Sequence, residues 1–209
     1  MSLITTLLKE VLQSGLLRNS FQWRLEAGDA VALTFDDGPD PVHTPRVLEL
    51  LARHGQKATF FLVGEQAQKC PRLVERMAAE GHALASHTHT HRELPRLRPD
   101  ELAWELATAR ALLRDLTGTD SNLVRPPRGR ISPLVLLRVR SLGYRLVHWS
   151  KTYSDYRRDG SEALLRRLRA APPLARDIIL LHDNNPYTVE ALGEVLPEWL
   201  AAGMRFATL

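Results

Sequence analysis

From residue 30 onward the chain alternates short apolar runs with longer amphipathic ones. The apolar runs at 30–36, 57–63, 82–86, 122–125, 144–149, 177–182 and 204–208 read as strands. The segments between them carry helical patterns that close on Gly55, Gly81, Gly118, Gly143 and Gly203, each just before the next strand. Glycine is the usual residue for the left-handed cap that ends a helix. Helix starts are marked as well. Ser132-Pro133 pairs an N-cap with proline at the first helical position, and Pro99-Asp100-Glu101 puts acid into a first turn. Strand–helix alternation predicts a parallel sheet with right-handed crossovers. Seven strands can form an open doubly wound sheet or a barrel, and periodicity leaves both open. Ahead of this region Leu3, Ile4, Leu7, Leu8, Val11 and Leu12 fall at helical spacing, with Leu16 and Leu17 beyond Gly15. An amphipathic helix is expected over about 1–20, its stripe packed on the domain, with peripheral membrane contact as the alternative. Residues 21–209 are expected to form one domain, without repeats or linkers.

Composition narrows the class. At 209 residues, 44% hydrophobic and 25% charged, the chain has the make-up of a globular domain. The net charge is +4, with arginine far outnumbering lysine and no cationic block that would track a phosphate backbone. Nucleic acid is therefore not an expected partner, while a mild pull toward anionic glycans or lipid headgroups remains. The single cysteine, Cys70, excludes an intrachain disulfide and a cysteine-rich metal site. No stretch is long and apolar enough to span a bilayer. No basic residue precedes Leu3, and Lys9-Glu10 interrupt the first apolar run, so the pattern is not that of a signal peptide. A cytoplasmic protein is expected unless an export segment has been removed.

The candidate chemistry begins where the first strong strand ends, at Asp36-Asp37-Gly38-Pro39. Neighbouring strand residues point to opposite faces, so two adjacent carboxylates can serve different partners. An ordinary turn would use the same residues. Downstream, Ser86-His87-Thr88-His89-Thr90-His91 places His87 and His91 four apart, on one face if the segment turns helical. Nitrogen and oxygen ligands of this kind suit zinc, cobalt, nickel, manganese or iron. Arg125-Pro126-Pro127-Arg128-Gly129, Ser150 to Asp155 and Leu180-Leu181-His182-Asp183 follow. All five clusters fall just after strand candidates, where a parallel β/α fold carries its site. His43, His54, His82 and His148 are read as structural or exposed. In this order the motifs T-F-D-D-G-P, H-[ST]-x-x-H, a partial R-x-P-Y-G, a partial D-x-x-D-W and a C-terminal Leu-His pair resemble the polysaccharide deacetylase family, carbohydrate esterase family 4. The resemblance runs from about Ala30 to Leu209.

That resemblance implies a distorted (β/α) barrel with seven to eight mostly parallel strands. It implies metal-assisted removal of an N-acetyl group from an N-acetylated aminosugar or glycan. Asp37, His87 and His91 would hold one divalent ion, zinc first, with cobalt, nickel or manganese also suited. His89 lies between the two and is not assigned. Asp36 would be the general base and His182 the general acid, with Asp155 keeping His182 protonated. Arg125 would hold Asp36 by charge-assisted hydrogen bonds, and the Arg128 backbone N–H would face the oxyanion. Pro127, Arg128, Tyr156, Leu180 and Leu181 would line the substrate, the leucines as an apolar wall around the acetyl methyl. The chain departs from the family pattern at Thr152, Tyr156 and Arg128, where Asp, Trp and Tyr are usual. Losing an acid at Thr152 and gaining a base at Arg128 makes the groove more positive, so an anionic or lipid-linked aminosugar is expected. Alternatives are a deformylase or other amide hydrolase acting on a lipid-linked aminosugar or cyclic amide, and a non-catalytic glycan-binding domain. The intact Asp36, Asp37, His87, His91 and His182 argue against the last. A haloacid-dehalogenase phosphatase is excluded, because Gly38 stands where its second aspartate is required.

Overall fold

The computed structural model describes residues 20–209. The N-terminal helix expected over 1–20, and with it the expected membrane contact, lies outside the described residues. Among the described residues nine strands alternate with seven helices. The strands are β1 (Phe21–Gln22), β2 (Val31–Asp36), β3 (Thr59–Leu62), β4 (Ala83–Ser86), β5 (Leu123–Val124), β6 (Arg145–Val147), β7 (Lys151–Thr152), β8 (Ile178–His182) and β9 (Phe206–Ala207). The helices are α1 (His43–Arg53), α2 (Gly64–Lys69), α3 (Pro71–Ala79), α4 (Pro99–Thr117), α5 (Pro133–Ser141), α6 (Ser161–Ala170) and α7 (Pro186–Ala201). The order across the sheet is β1-β6-β5-β4-β3-β2-β8-β7, with β9 also on β2. Every strand pair is parallel. All seven expected strands are present, and the barrel-type alternative is the one adopted. β1 and β7, two residues each, are too short to leave a period-2 signal.

The sheet curls until inward side chains of five strands meet. Ala32, Phe61, Ala85, Val147 and Ile178 form that inner cluster. A larger outer cluster packs β2, β3 and β8 against α1, α6 and α7 through Leu33, Phe35, Phe60, Leu51, Leu168, Leu181 and Trp199. Between the chain leaving β1 and the start of β8, an antiparallel bridge joins Arg24 to Asp177. No described helix is long and apolar enough to cross a membrane.

Local signals act as the residue chemistry dictates. The Ser132 hydroxyl accepts from the Val135 N–H at 3.2 Å and caps α5. Glu101 reaches back to the Arg98 N–H at the start of α4. Two helices, α2 and α3, stand between β3 and β4. Pro71 lacks an N–H and pushes Cys70 out of the helical region, to φ −127 and ψ 52, so the chain breaks and restarts.

Strand alternation also corrects one expected site residue. In β2, Thr34 and Asp36 share a face, and they register with Leu180 and His182 of β8. Leu180 is thus on the inner face, whereas Leu181 belongs to the outer core with Leu33 and Phe35 and is fully buried. Leu181 cannot form a wall at the site, because adjacent residues of one strand point to opposite faces. Leu181→Ala is expected to lower unfolding free energy by about 2–5 kcal/mol, read from urea denaturation. A loss below about 1 kcal/mol would place that side chain outside the packed core.

Candidate active site

The C-terminal ends of the parallel strands gather the polar clusters at one mouth of the barrel. Arg125 follows β5 and turns its whole side chain inward, where it has no exposed surface. Its Nη1 donates to Asp36 Oδ1 and to Thr34 Oγ1, both at 2.7 Å, and its Nη2 donates to the His148 carbonyl at 3.2 Å. The guanidinium lies 4.0 Å from the centroid of the Phe61 ring. Burial pulls the Arg125 pKa down, and the Asp36 charge and hydrogen bond hold it up. An arginine stays charged under that balance, so Asp36 sits against a fixed cation.

Asp37 takes the opposite direction. Its backbone is left-handed, φ 74, and its carboxylate leaves the barrel wall. Asp37 Oδ1 lies 3.1 Å from His91 Nε2 and 3.5 Å from His87 Nε2. One donor atom from each of Asp37, His87 and His91 falls within 4.8 Å of the others. Burial would raise the Asp37 pKa, but the hydrogen bond from His91 and the charges of His87 and His182 hold it well below the usual carboxylate range. His87 Nδ1 sits 2.8 Å from the Arg125 carbonyl, which can only accept. Nδ1 therefore carries the proton and Nε2 presents its lone pair toward Asp37. Burial lowers the His87 pKa despite Asp36 and Asp37, which keeps that lone pair available. Two imidazole nitrogens and one carboxylate oxygen converging on one point fit a divalent cation.

The His87–His91 segment is not helical. It is a loop with left-handed residues at Thr88, φ 69, and His91, φ 60, and these turns bring the two rings to 4.9 Å between centroids. His89 points elsewhere, edge-on to Trp104 with ring centroids 5.1 Å apart.

Across the mouth, His182 ends β8. Asp155 is buried and accepts from His182 N at 2.6 Å, from His182 Nδ1 at 2.9 Å and from Thr188 Oγ1 at 3.0 Å. The second ring nitrogen, Nε2, faces the Asp37 carboxylate at 4.0 Å. Burial alone would lower the His182 pKa, but the Asp155 hydrogen bond and charge, aided by Asp36 and Asp37, raise it to about 9. His182 is therefore protonated at neutral pH, with Nε2–H facing the site.

The remaining expected residues spread along the rim. Pro127 is buried in a short turn, and Arg128 beside it is left-handed at φ 56. The Arg128 side chain is mostly exposed and pairs with Glu93 at 3.1 Å, which neutralises part of the positive charge expected there. Tyr156 is 60% exposed and stands edge-on to the His182 ring at 6.4 Å. Thr152 lies in β7 and is exposed.

Four residues support the site without a role assigned to them from the sequence. Thr34 relays Arg125 to the Ile179 carbonyl, and Thr188 braces Asp155. Glu105 on α4 accepts from the loop between His87 and His91. Asp183 is buried, accepts from the Thr44 hydroxyl at 2.5 Å and is pushed up to about 7 by burial. A Cβ on Gly38 would lie 2.4 Å from the Asp183 carboxylate, so the turn after Asp37 requires glycine. Thr34 opens the T-F-D-D-G-P motif and Asp183 follows His182, whereas Glu105 shows in the sequence as a charge in the middle of an apolar helical stripe.

The polysaccharide deacetylase family matches residues 26–147. The chain is 34% identical over 183 residues to a peptidoglycan-N-acetylglucosamine deacetylase of Bacillus cereus, covering 86% of this chain and 66% of that protein. It is 38% identical over 182 residues to a chitooligosaccharide deacetylase of Sinorhizobium fredii, covering 80% and 84%. The solved structure of the Bc1960 peptidoglycan N-acetylglucosamine deacetylase superposes with a TM-score of 0.85 at 32% identity, over 94% of each chain.

The raised His182 pKa is directly measurable. In metal-free protein the His182 imidazole is expected to titrate near 9 by NMR. In Asp155→Asn the burial penalty loses its main opponent, and the midpoint should fall toward or below the ordinary 6.5. A midpoint that stays near 9 in that variant would remove Asp155 from the account.

Proposed function

The chain belongs to the polysaccharide deacetylase family, and on that premise we propose that it is a metal-dependent hydrolase that removes the N-acetyl group from an N-acetylated aminosugar or glycan. The observation that carries this reading is the pairing of opposite protonation states across one mouth. A carboxylate is held against a buried guanidinium on one side, and an imidazolium is held by a buried carboxylate on the other. Amide hydrolysis needs that pair, one group to take a proton from water and one to give a proton to the leaving amine.

Asp37, His87 and His91 are the residues we assign to the ion, with zinc first and cobalt, nickel or manganese also suited to the donor set. When bound there, a divalent cation supplies Lewis acidity, making water more acidic and an acyl oxygen more electrophilic. The protein's own steps follow from the geometry. Asp36, its Oδ1 fixed by Arg125, takes the proton of the attacking water. The water oxygen bonds to the acyl carbon, the carbon–nitrogen bond breaks, and His182 Nε2 delivers its proton to the departing nitrogen. The products are acetate and a free amine. The Arg128 backbone N–H is assigned to the oxyanion, and Leu180, on the inner face and 5% exposed, to the acetyl methyl.

An anionic substituent on the sugar, phosphate or carboxylate, is the finer reading of the substrate. Arg128 is paired with Glu93, and the cation that supports this reading is Arg158, on the loop that carries Tyr156. There Arg158 reaches the carbonyl and Oδ1 of Asn184, two residues beyond His182, at 3.5 Å rather than a carboxylate.

Acetate release is the test. Protein loaded with divalent metal should free acetate and amine in equal amounts from N-acetylglucosamine oligomers or peptidoglycan fragments, lose this on chelation and regain it on metal return. His182→Ala should lower kcat by roughly 10²–10⁴-fold. Undiminished turnover by chelated protein, or by His182→Ala, would overturn the assignment. Arg158→Ala should raise KM about tenfold on an anionic substrate and leave a neutral oligomer unchanged. Equal effects on both would return Arg158 to a structural role.

A further inference from the structure

The apolar stripe of α4 buries Leu102, Leu106, Ala109 and Leu113, and in its middle it buries Glu105 with no exposed surface. An unpaired buried carboxylate is unfavourable, so its partners identify its task. Glu105 Oε2 accepts the backbone N–H groups of His89 and Thr90, both at 2.8 Å, and Oε1 accepts the Thr90 hydroxyl. No cation lies within ion-pair distance of it among the described residues. All three donors belong to the span between His87 and His91. That span is otherwise costly to hold, because Thr88 and His91 are both left-handed and neither is glycine. Local bonds define its ends, from Thr88 N to Ser86 Oγ at 3.0 Å and from His91 N to Thr88 Oγ1 at 3.1 Å. The opposite side is pinned by Gly64 N to the Thr88 carbonyl and Glu65 N to the His89 carbonyl. Among the described residues Glu105 is the side chain outside the loop that hydrogen-bonds its middle residues, while Trp104 meets the His89 ring edge-on.

We infer that Glu105 is a positioning residue for the metal centre, holding the His87–His91 loop in the one conformation that turns both Nε2 atoms toward Asp37. The inference rests on Asp37, His87 and His91 being the ligands. An alternative use of the same bonds is plain buttressing of α4, which would affect stability and not affinity. The two separate cleanly, because a ligand loop that has lost its brace binds metal more weakly even where the fold survives.

The experiment titrates metal-stripped protein with Zn²⁺ by calorimetry and with Co²⁺ by visible absorption, in parallel with thermal unfolding. Glu105→Gln keeps the size and one acceptor oxygen but cannot serve all three donors. Its Zn²⁺ affinity should fall about 10–100-fold, with an altered Co²⁺ spectrum, as for other residues that orient metal ligands. Thr90→Val, which removes one donor, should show the same change to a smaller degree. Leu168→Ala, in the outer core on α6, should lower the unfolding midpoint and leave affinity unchanged. Parent-like Zn²⁺ affinity and Co²⁺ spectrum in Glu105→Gln would overturn the inference. If that variant does not fold, unchanged affinity in Thr90→Val overturns it instead. Retention of metal by His87→Ala would overturn the ligand assignment beneath it, a separate failure.

Discussion

Arg125 and Asp36 form an ion pair inside the barrel, 2.7 Å apart, and much of the site is arranged around it. Two charges taken out of water are costly unless their geometry and remaining hydrogen bonds are good. Here the guanidinium gains Thr34 and the His148 carbonyl as further acceptors and an aromatic face at Phe61. Removing either charge would strand the other, at a cost of about 3–5 kcal/mol. The same residue acts twice, because its carbonyl accepts from His87 Nδ1 and so fixes which nitrogen of that ring faces Asp37. A single buried residue therefore anchors the Asp36 carboxylate and sets the tautomer of His87.

Around that pair, neighbours rather than residue type decide each group's chemistry. His87 and His182 are both histidines near the same two carboxylates, and burial lowers the pKa of each. His87 hydrogen-bonds a neutral carbonyl and stays a lone-pair donor, while His182 hydrogen-bonds a buried carboxylate and stays an acid. Asp36 and Asp37 differ in the same way. One is clamped by a cation within the wall, and the other is turned out by a left-handed backbone toward two imidazoles.

What the sequence disclosed follows from which forces act locally. Strands, helix ends and glycine caps were legible because patterning and capping are short-range, and all five marked glycines have positive φ. Motif order brought out the family and the residues that meet at the mouth. Less visible were features set by tertiary contact. Leu181 looked equivalent to Leu180 until strand register sent them to opposite faces. The His87–His91 spacing would put both rings on one face of a helix, whereas the segment is a loop held by left-handed residues and a glutamate 14 positions beyond His91. Arg128 looked like a free cation, but its partner Glu93 is 35 residues away. Asp183, given no role from the sequence, is a buried acid packed on Gly38.

The division of labour between the adjacent carboxylates is the claim on which the mechanism stands. It is tested most directly by Zn²⁺ calorimetry on Asp36→Asn and Asp37→Asn, with acetate release measured on the same preparations. Asp36→Asn is expected to bind Zn²⁺ close to the parent affinity and to lose turnover by roughly 10²-fold or more. Asp37→Asn should lose both together. Weakened binding in Asp36→Asn with parent affinity in Asp37→Asn would exchange the two roles, and full turnover in Asp36→Asn would contradict a base at that position.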